Sequence, residues 1–208
     1  STPFYPRSPY GVAKLYAYWI TKNYREAYGI YAVNGILFNH ESPRRGETFV
    51  TRKITRGVVR VLKGFQENIV LGNLDSKRDW GHAKDYVRGM WMTLQTEKAE
   101  DWVFSTGITT SIRDFVKMCF NYFGIEINFK GEGINEIGLV KKCNNKLYNL
   151  REGSKVVIVS KKYFRPAEVD LLIGDSSKAK KILKWKPEFN LNSLVKDMLE
   201  NDIEKINS

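Results

Sequence analysis

An alternation of helical and apolar extended segments in the first half of the chain constrains its fold most strongly. Ser8 and Pro9 suit the cap and first position of a helix, apolar residues then recur at helical spacing, and Gly29 suits the helix end. We therefore predict a helix over 9–28, followed by a mostly apolar, buried strand over 30–39. The order of strands and helices favours an α/β fold with parallel pairing in this half.

The same patterns predict the remaining elements. Further helices are predicted over 49–63, 85–95, from Ser111 with Asp114 completing its cap, 176–185 and 192–206; further strands over 68–73, 102–107, 126–130 and 155–160; and polar loops over 78–85 and 131–154. Residues 1–107 then read as an α/β part with parallel pairing, and 108–208 mainly as a small α+β lobe. No strand is followed by a Gly-x-Gly-x-x-Gly turn that opens a helix.

Composition narrows the classes of protein. A hydrophobic content of 42% favours a folded chain, and no apolar run approaches the roughly 18 residues of a membrane span. Cys119 and Cys143 have neither metal-binding spacing nor the density of a disulfide scaffold, so we expect no metal and a reducing, cytoplasmic compartment. The net charge of +11 allows nucleic acid or an anionic small molecule. Because the basic residues follow no regular helix face, we expect an anionic metabolite and no nucleic acid.

Two copies of a Tyr-x-x-x-Lys pattern lie on the first predicted helix. Tyr10 and Lys14 fall in its first turns, and Tyr18 and Lys22 lie deeper. A phenol is a poor base at neutral pH because its ordinary pKa is about 10, but a nearby ammonium and the positive end of a helix favour the phenolate. The first copy is therefore a candidate acid-base pair, whereas the second fits a core or surface role better.

Three longer stretches indicate whether Tyr10 and Lys14 are the acid-base pair. The stretch "NGILFNHESPRRG", the later "RDWGHAKDY" and the distant "YFRPAEVD" together resemble the GDP-mannose 4,6-dehydratase family, within the extended short-chain dehydrogenase/reductase superfamily. The resemblance spans essentially the whole chain. It implies that 1–107 is the remaining, C-terminal part of a Rossmann-like doubly wound parallel sheet, which binds NADP and has some substrate-binding segments, and that 108–208 is mainly a substrate-binding lobe. It also implies conversion of GDP-mannose to GDP-4-keto-6-deoxymannose and water through internal hydride transfer by bound NADP.

The resemblance also implies individual roles. Tyr10 matches the base for the sugar C4 hydroxyl, Lys14 matches the cofactor-binding lysine beside it, and His40 and Arg45 match further NADP contacts. The matched GDP-mannose contacts are Asn39, Val50, Lys53, Arg78, Arg165 and Glu168. Taken without the resemblance, Arg78 with Asp79 could equally form a surface ion pair, and Arg44 with Arg45 a solvated loop. His82 near a helix start is read as a capping or packing group.

Members of this family carry a Thr or Ser and a Glu ahead of the tyrosine, together with a glycine-rich cofactor turn. These residues are not in the present sequence, so we expect the 208-residue chain to be inactive without an upstream partner. The alternatives are a related nucleotide-sugar reductase or epimerase, and a non-catalytic nucleotide-sugar-binding module. The resemblance further implies a homo-oligomer, tetramer or dimer, whose product feeds deoxysugar routes such as that to GDP-fucose.

Overall fold

The first helix has the caps that its sequence predicts. In a computed structural model, which describes residues 2–148, 150–164 and 171–207, helix α1 spans Pro9–Tyr28. The Ser8 hydroxyl accepts a hydrogen bond from the Gly11 amide at 3.0 Å, and Gly29 ends the helix with a φ of 65°. A φ of that sign favours glycine, so the end of α1 is set by a residue that can adopt it at little cost.

The other elements follow in a mixed order. The strands are β1 Asn34–Leu37, β2 Asn39–Glu41, β3 Ile69–Leu71, β4 Lys77–Arg78, β5 Trp80–His82, β6 Asp101–Phe104, β7 Thr110–Ser111, β8 Ile125–Lys130, β9 Ile137–Cys143, β10 Lys155–Val159 and β11 Leu171–Leu172. The remaining helices are α2 Val50–Leu62, α3 Ala83–Thr93, α4 Ile112–Tyr122 and α5 Leu191–Asn207, with a 3₁₀ turn at Gly133–Asn135 and a π-helical turn at Ala179–Leu183. The segment predicted as a helix over 176–185 is therefore partly π-helical.

Parallel pairing organises the first half of the chain, as predicted. Strand β1 pairs in parallel with β6, and β2 with β5. Two further parallel pairs, β3 with β10 and β4 with β11, connect distant parts of the sequence. The α/β class is thus confirmed. Parallel strands bring their carboxyl ends to one edge, where α/β proteins place ligands.

The strand predicted over 30–39 is shorter and more exposed than its sequence suggests. Only Asn34–Leu37 forms β1, and no residue between 30 and 39 is fully buried. The amide of Phe38 still donates to the Phe104 carbonyl at 3.0 Å, after which Asn39 begins β2 and pairs with β5. Among the described strands, β1 pairs with β6 alone. Its other edge is unpaired there, and its apolar residues are less buried than the sequence predicts.

The prediction of a polar loop over 78–85 was wrong. This stretch contains β5, all of whose residues are buried, and the start of α3. Asp79 between β4 and β5 is fully buried, and its carboxylate accepts hydrogen bonds from the amides of Thr106 and Gly107, each at 2.9 Å. The polar side chains that resemble a loop in sequence therefore fix this segment in the interior.

The loop predicted over 131–154 was also wrong in part, because it contains β9. Strand β9 is antiparallel to both β8 and β10, which completes a four-stranded sheet in the order β3-β10-β9-β8. Helices α2, α4 and α5 and β3 share the larger apolar cluster with this sheet, whereas the smaller cluster joins Tyr86, Trp102 and Phe104 to Trp185. Neither cluster follows the boundary at 107 and 108, and the division into two domains there stays a prediction.

Candidate active site

Asp101 at the start of β6 anchors the helix that carries Tyr10 and Lys14. Its carboxylate accepts hydrogen bonds from the Tyr18 hydroxyl at 2.9 Å, from the Arg25 guanidinium at 3.0 Å and from the side-chain amide of Asn34 at 3.1 Å. Burial acts to raise the pKa of Asp101, but these three donors outweigh it, so the pKa of this carboxyl lies below its ordinary value. No residue of α1 is fully buried against the described chain, so this polar cluster carries much of the attachment of α1.

Tyr10 and Lys14 line one cavity of about 470 Å³ between α1, the amino-terminal segment and β1. They project from consecutive turns because residues four apart share one face of a helix. All four residues of β1, Asn34–Leu37, line the same cavity, and Tyr10 is 72% exposed. The pair is thus accessible to a ligand that enters the cavity beside β1.

The second Tyr-x-x-x-Lys copy has different surroundings, although Tyr18 also lines the Tyr10 cavity. Burial and the hydrogen bond to Asp101 raise the pKa of Tyr18, which makes its phenolate harder to form. Lys22 forms an exposed ion pair with Glu26 at 3.8 Å. The two copies have the same spacing, but Tyr18 is hydrogen-bonded to Asp101 whereas Tyr10 is mostly exposed.

His40 and Arg45 lie on and after β2, and the described residues that line the Tyr10 cavity do not include them. The His40 Nδ1 atom lies 2.8 Å from the Phe38 carbonyl oxygen, and the ring stacks on Tyr86. The Arg45 guanidinium lies over the Phe49 ring and forms an ion pair with buried Glu41 at 3.1 Å. Both side chains are thereby oriented at the carboxyl end of β2.

A second cavity, of about 360 Å³, brings together three of the predicted substrate contacts. Val50 at the start of α2, Lys53 one turn later and Arg78 on β4 line it. No side chain caps the amino terminus of α2, and its first turn has no acidic residue. Amides at a helix start and nearby cations favour an anionic group, so the walls of this cavity suit a phosphate-bearing ligand.

The same cavity has lining residues that the sequence analysis missed. They are Thr48, Phe49, Leu71, Gly72, Asn73, Ile112, Lys162 and Tyr163. The Lys53 ammonium lies 3.5 Å from the centroid of the Tyr163 ring, a cation–π contact. Tyr163 is within the "YFRPAEVD" motif, which was the available sequence signal for this wall.

Of the remaining predicted substrate contacts, Asn39 is the one that the structure describes, and it does not line this cavity. Asn39 lies on β2, half-buried and paired with Trp80 of β5. Arg165 and Glu168 lie outside the described residues, so their predicted roles rest on the resemblance alone.

His82 has the capping and packing role that the sequence analysis gave it. Its Nδ1 accepts a hydrogen bond from the Lys84 amide at 3.2 Å, its Nε2 lies 2.9 Å from an Asp197 carboxylate oxygen, and its ring stacks on Phe189. The ring is buried, so these contacts hold α3 and α5 together.

The described ranges contain no cluster of three or more His, Cys, Asp or Glu side chains placed to hold a metal ion. Within those same ranges, no helix has the length and apolar character needed to cross a membrane.

Solved structures of nucleotide-sugar enzymes share this fold. RMD from Pseudomonas aeruginosa complexed with NADPH superimposes with a TM-score of 0.77 at 19% identity, over 97% of this chain and 58% of that chain. The dTDP-glucose 4,6-dehydratase of Bacillus anthracis in complex with NAD gives 0.74 at 14% identity, over 100% and 56% respectively. The chain therefore has the fold of these two enzymes.

Sequence comparison identifies the family. The sequence model of GDP-mannose 4,6-dehydratase matches residues 1–198. A GDP-mannose 4,6-dehydratase of Vibrio cholerae serotype O1 is 55% identical over 209 residues, which cover 100% of this chain and 56% of the relative. That of Homo sapiens is 54% identical over 204 residues, 98% of this chain and 52% of the relative. The chain belongs to the GDP-mannose 4,6-dehydratase family, and it spans about half the length of the curated relatives it matches.

Proposed function

We propose that this chain carries part of the active site of a GDP-mannose 4,6-dehydratase, a hydro-lyase that forms GDP-4-keto-6-deoxymannose and water. The observation that carries the proposal is the position of Tyr10 and Lys14, which open together into one cavity beside β1. Tyr10 would take the proton of the sugar C4 hydroxyl as the base. Family membership supplies the substrate, and the cavity supplies room for it.

The cofactor in this proposal is NADP. Lys14, His40 and Arg45 form a donor set that fits its ribose hydroxyls and phosphates, because the first lines the Tyr10 cavity and the others are held at the carboxyl end of β2. When bound, NADP would supply the hydride acceptor and donor that the internal redox reaction needs. Lys14 would hold a ribose hydroxyl beside Tyr10, and the ion pair with Glu41 would orient Arg45 toward a phosphate.

In this proposal the sugar ring of the substrate lies at Tyr10 and its diphosphate lies in the second cavity. Lys53 and Arg78 would neutralise the diphosphate, and Val50 would contact it at the start of α2. Asn39, Arg165 and Glu168 complete the proposed substrate contacts through the family resemblance. A Thr or Ser and a Glu ahead of Tyr10 complete the chemistry in the family, so we expect no turnover by these 208 residues alone.

We also propose that the protein acts in the cytoplasm as a homo-oligomer, dimer or tetramer. The support for a subunit contact is the aromatic surface of α1, on which Tyr16, Trp19 and Tyr24 are exposed. The support for a reducing compartment is that Cys119 and Cys143 are both free.

The test uses a completed protein, in which these 208 residues are preceded by the amino-terminal segment of the Vibrio cholerae relative. The completed protein is incubated with NADP and GDP-mannose, and the mass of the sugar nucleotide is measured by mass spectrometry. We expect loss of one water from GDP-mannose and none from UDP-glucose. We expect no product from the 208-residue chain by itself.

Two matched lysine variants test which copy of the Tyr-x-x-x-Lys motif belongs to the active site. Lys14→Met should weaken NADP binding and slow water loss, whereas Lys22→Met, in the second copy of the motif, should leave both near the original values. No water loss by a folded completed protein that binds NADP would contradict the proposal and favour a reductase or epimerase. Turnover by the 208-residue chain alone would show that the family's upstream residues are dispensable.

A further inference from the structure

A hydrogen-bonded turn over residues 160–164 closes one side of the second cavity. The Ser160 amide donates to the Leu71 carbonyl of β3 at 2.9 Å, and the amides of Tyr163 and Phe164 each donate to the Ser160 carbonyl at 3.0 Å. The Lys162 amide donates to the Ser160 hydroxyl at 3.3 Å. Because β3 and β10 are parallel neighbours, this turn holds Lys162 and Tyr163 over the carboxyl ends of both strands.

Gly72, directly after β3, permits this close approach. A Cβ atom at this position would overlap the carbonyl oxygen of Tyr163. That oxygen belongs to the backbone, so it cannot rotate away as a side chain could. Any larger residue at 72 would therefore displace the turn that carries Lys162.

Two ammonium groups converge on the Tyr163 ring. The Nζ atoms of Lys53 and Lys162 lie 3.5 Å and 5.8 Å from its centroid, and both lysines line the cavity. Burial, and then the charge of Lys162, lower the pKa of Lys53, as expected for two cations held close together. Within residues 2–148, 150–164 and 171–207, neither lysine has a carboxylate at ion-pair distance. An anionic ligand would relieve their repulsion.

We propose that Lys162 is a further substrate-binding residue, which holds the diphosphate of the nucleotide sugar together with Lys53, and that Gly72 positions it. The inference rests on the proposed function, since it concerns the same cavity. Two adjacent cations match two linked phosphoryl groups better than one, because each ammonium can donate to a separate phosphoryl oxygen. The site therefore prefers a nucleoside diphosphate to a monophosphate.

The test measures binding of GDP and GMP to the 208-residue chain by calorimetry, with no turnover required. We expect the wild-type chain to bind GDP more tightly than GMP. Lys162→Ala should weaken GDP binding about tenfold and GMP binding less, because one charge-assisted contact is lost. Lys162→Arg should keep the preference for GDP. Lys146→Ala, at an exposed lysine outside the cavity, is the matched control and should bind as the wild type does.

Two further measurements separate position from charge. Gly72→Ala keeps every charge but moves the turn, so it should also reduce the preference for GDP over GMP. Lys162→Ala should raise the pKa of Lys53, followed by NMR titration of its side chain, because the neighbouring cation is gone. Circular dichroism of each variant establishes that it is folded before binding is compared.

Two outcomes would overturn the inference. The first is a folded Lys162→Ala variant that binds GDP as tightly as the wild type, and the second is a wild-type chain that binds GDP no better than GMP or not at all. Water loss from GDP-mannose by the completed protein tests the proposed function separately. The dehydratase could therefore be established while the role of Lys162 fails, or the reverse.

Discussion

Replacing Asp101 by alanine tests how the helix of Tyr10 and Lys14 is held on the sheet. The change removes the acceptor of three side-chain hydrogen bonds, two of them from α1 and one from β1. Arg25 keeps its hydrogen bond to the Ala32 carbonyl at 3.1 Å, so its guanidinium is not left without a partner. Since no residue of α1 is fully buried within the described chain, apolar packing offers little compensation.

These contacts set the size of the free-energy loss expected for Asp101→Ala. A hydrogen bond to a charged group contributes about 1.5–3 kcal/mol, and three that share one carboxylate do not add fully. The side chains of Asp101 and Arg25 are 23% and 15% exposed, so water replaces part of what is lost. We expect a loss of about 3 kcal/mol in the free energy that holds α1, which corresponds to a roughly 100-fold fall in amide protection.

Hydrogen exchange followed by mass spectrometry reads this effect helix by helix. Protection should fall in α1 while α4 and β8 keep theirs. Glu26→Ala is the matched control on the same helix, because it removes only the exposed ion pair to Lys22 and should cost less than about 0.5 kcal/mol. If Asp101→Ala leaves α1 as well protected as Glu26→Ala does, the reasoning about the anchor is refuted.

Three further predictions concern pH, packing and a buried charge. Because hydrogen bonds outweigh burial and lower the pKa of Asp101, the stability advantage of the wild type over Asp101→Asn should be present above about pH 4 and be lost as the pH falls through the lowered pKa, as followed by urea unfolding. Gly89→Ala should destabilise the chain by about 1–3 kcal/mol, measured by the same assay, because its Cβ would lie 2.6 Å from the Phe104 ring; Phe104→Leu should then cost less in that background than alone. Asp202→Ala should cost about 3–5 kcal/mol by leaving Arg52 buried without its partner at 2.7 Å, and a double-mutant cycle with Arg52→Met should show strong coupling.

Helices were predicted well because their signals are local. The Ser8 cap and Gly29 end of α1, and the Ser111 cap of α4, lie within a few residues of the turns they stabilise. The same locality explains why α2 and α5 were found from apolar spacing alone. Parallel pairing also followed from the alternation of elements, without any knowledge of register.

The missed strands depend on partners far away in sequence. The segment that contains β5 is rich in polar residues and was read as a loop, because Asp79, just before β5, finds its donors 27 and 28 residues later. Strand β9 lies in a segment rich in Gly, Asn and Lys, and its pairing with β8 and β10 overrides that composition. Local patterns could not show that these polar residues are satisfied in the interior.

The candidate site was likewise predicted only in part from the sequence. Val50, Lys53 and Arg78 were identified from the family resemblance, and the structure gathers them around one cavity. Lys162 and Gly72 carry no distinguishing sequence signal, because one is a lysine beside another lysine and the other follows a strand as many glycines do. Their importance comes from a close backbone approach and a shared aromatic ring, which only the folded chain reveals.

The most direct test of the central claim compares the two tyrosines of the repeated motif in the completed protein. Water loss from GDP-mannose is measured by mass spectrometry for Tyr10→Phe and Tyr18→Phe, each shown to be folded and to bind NADP. We predict that Tyr10→Phe abolishes or severely slows water loss, whereas Tyr18→Phe lowers stability through its lost bond to Asp101 and keeps turnover. Turnover by Tyr10→Phe at the wild-type rate would contradict the account.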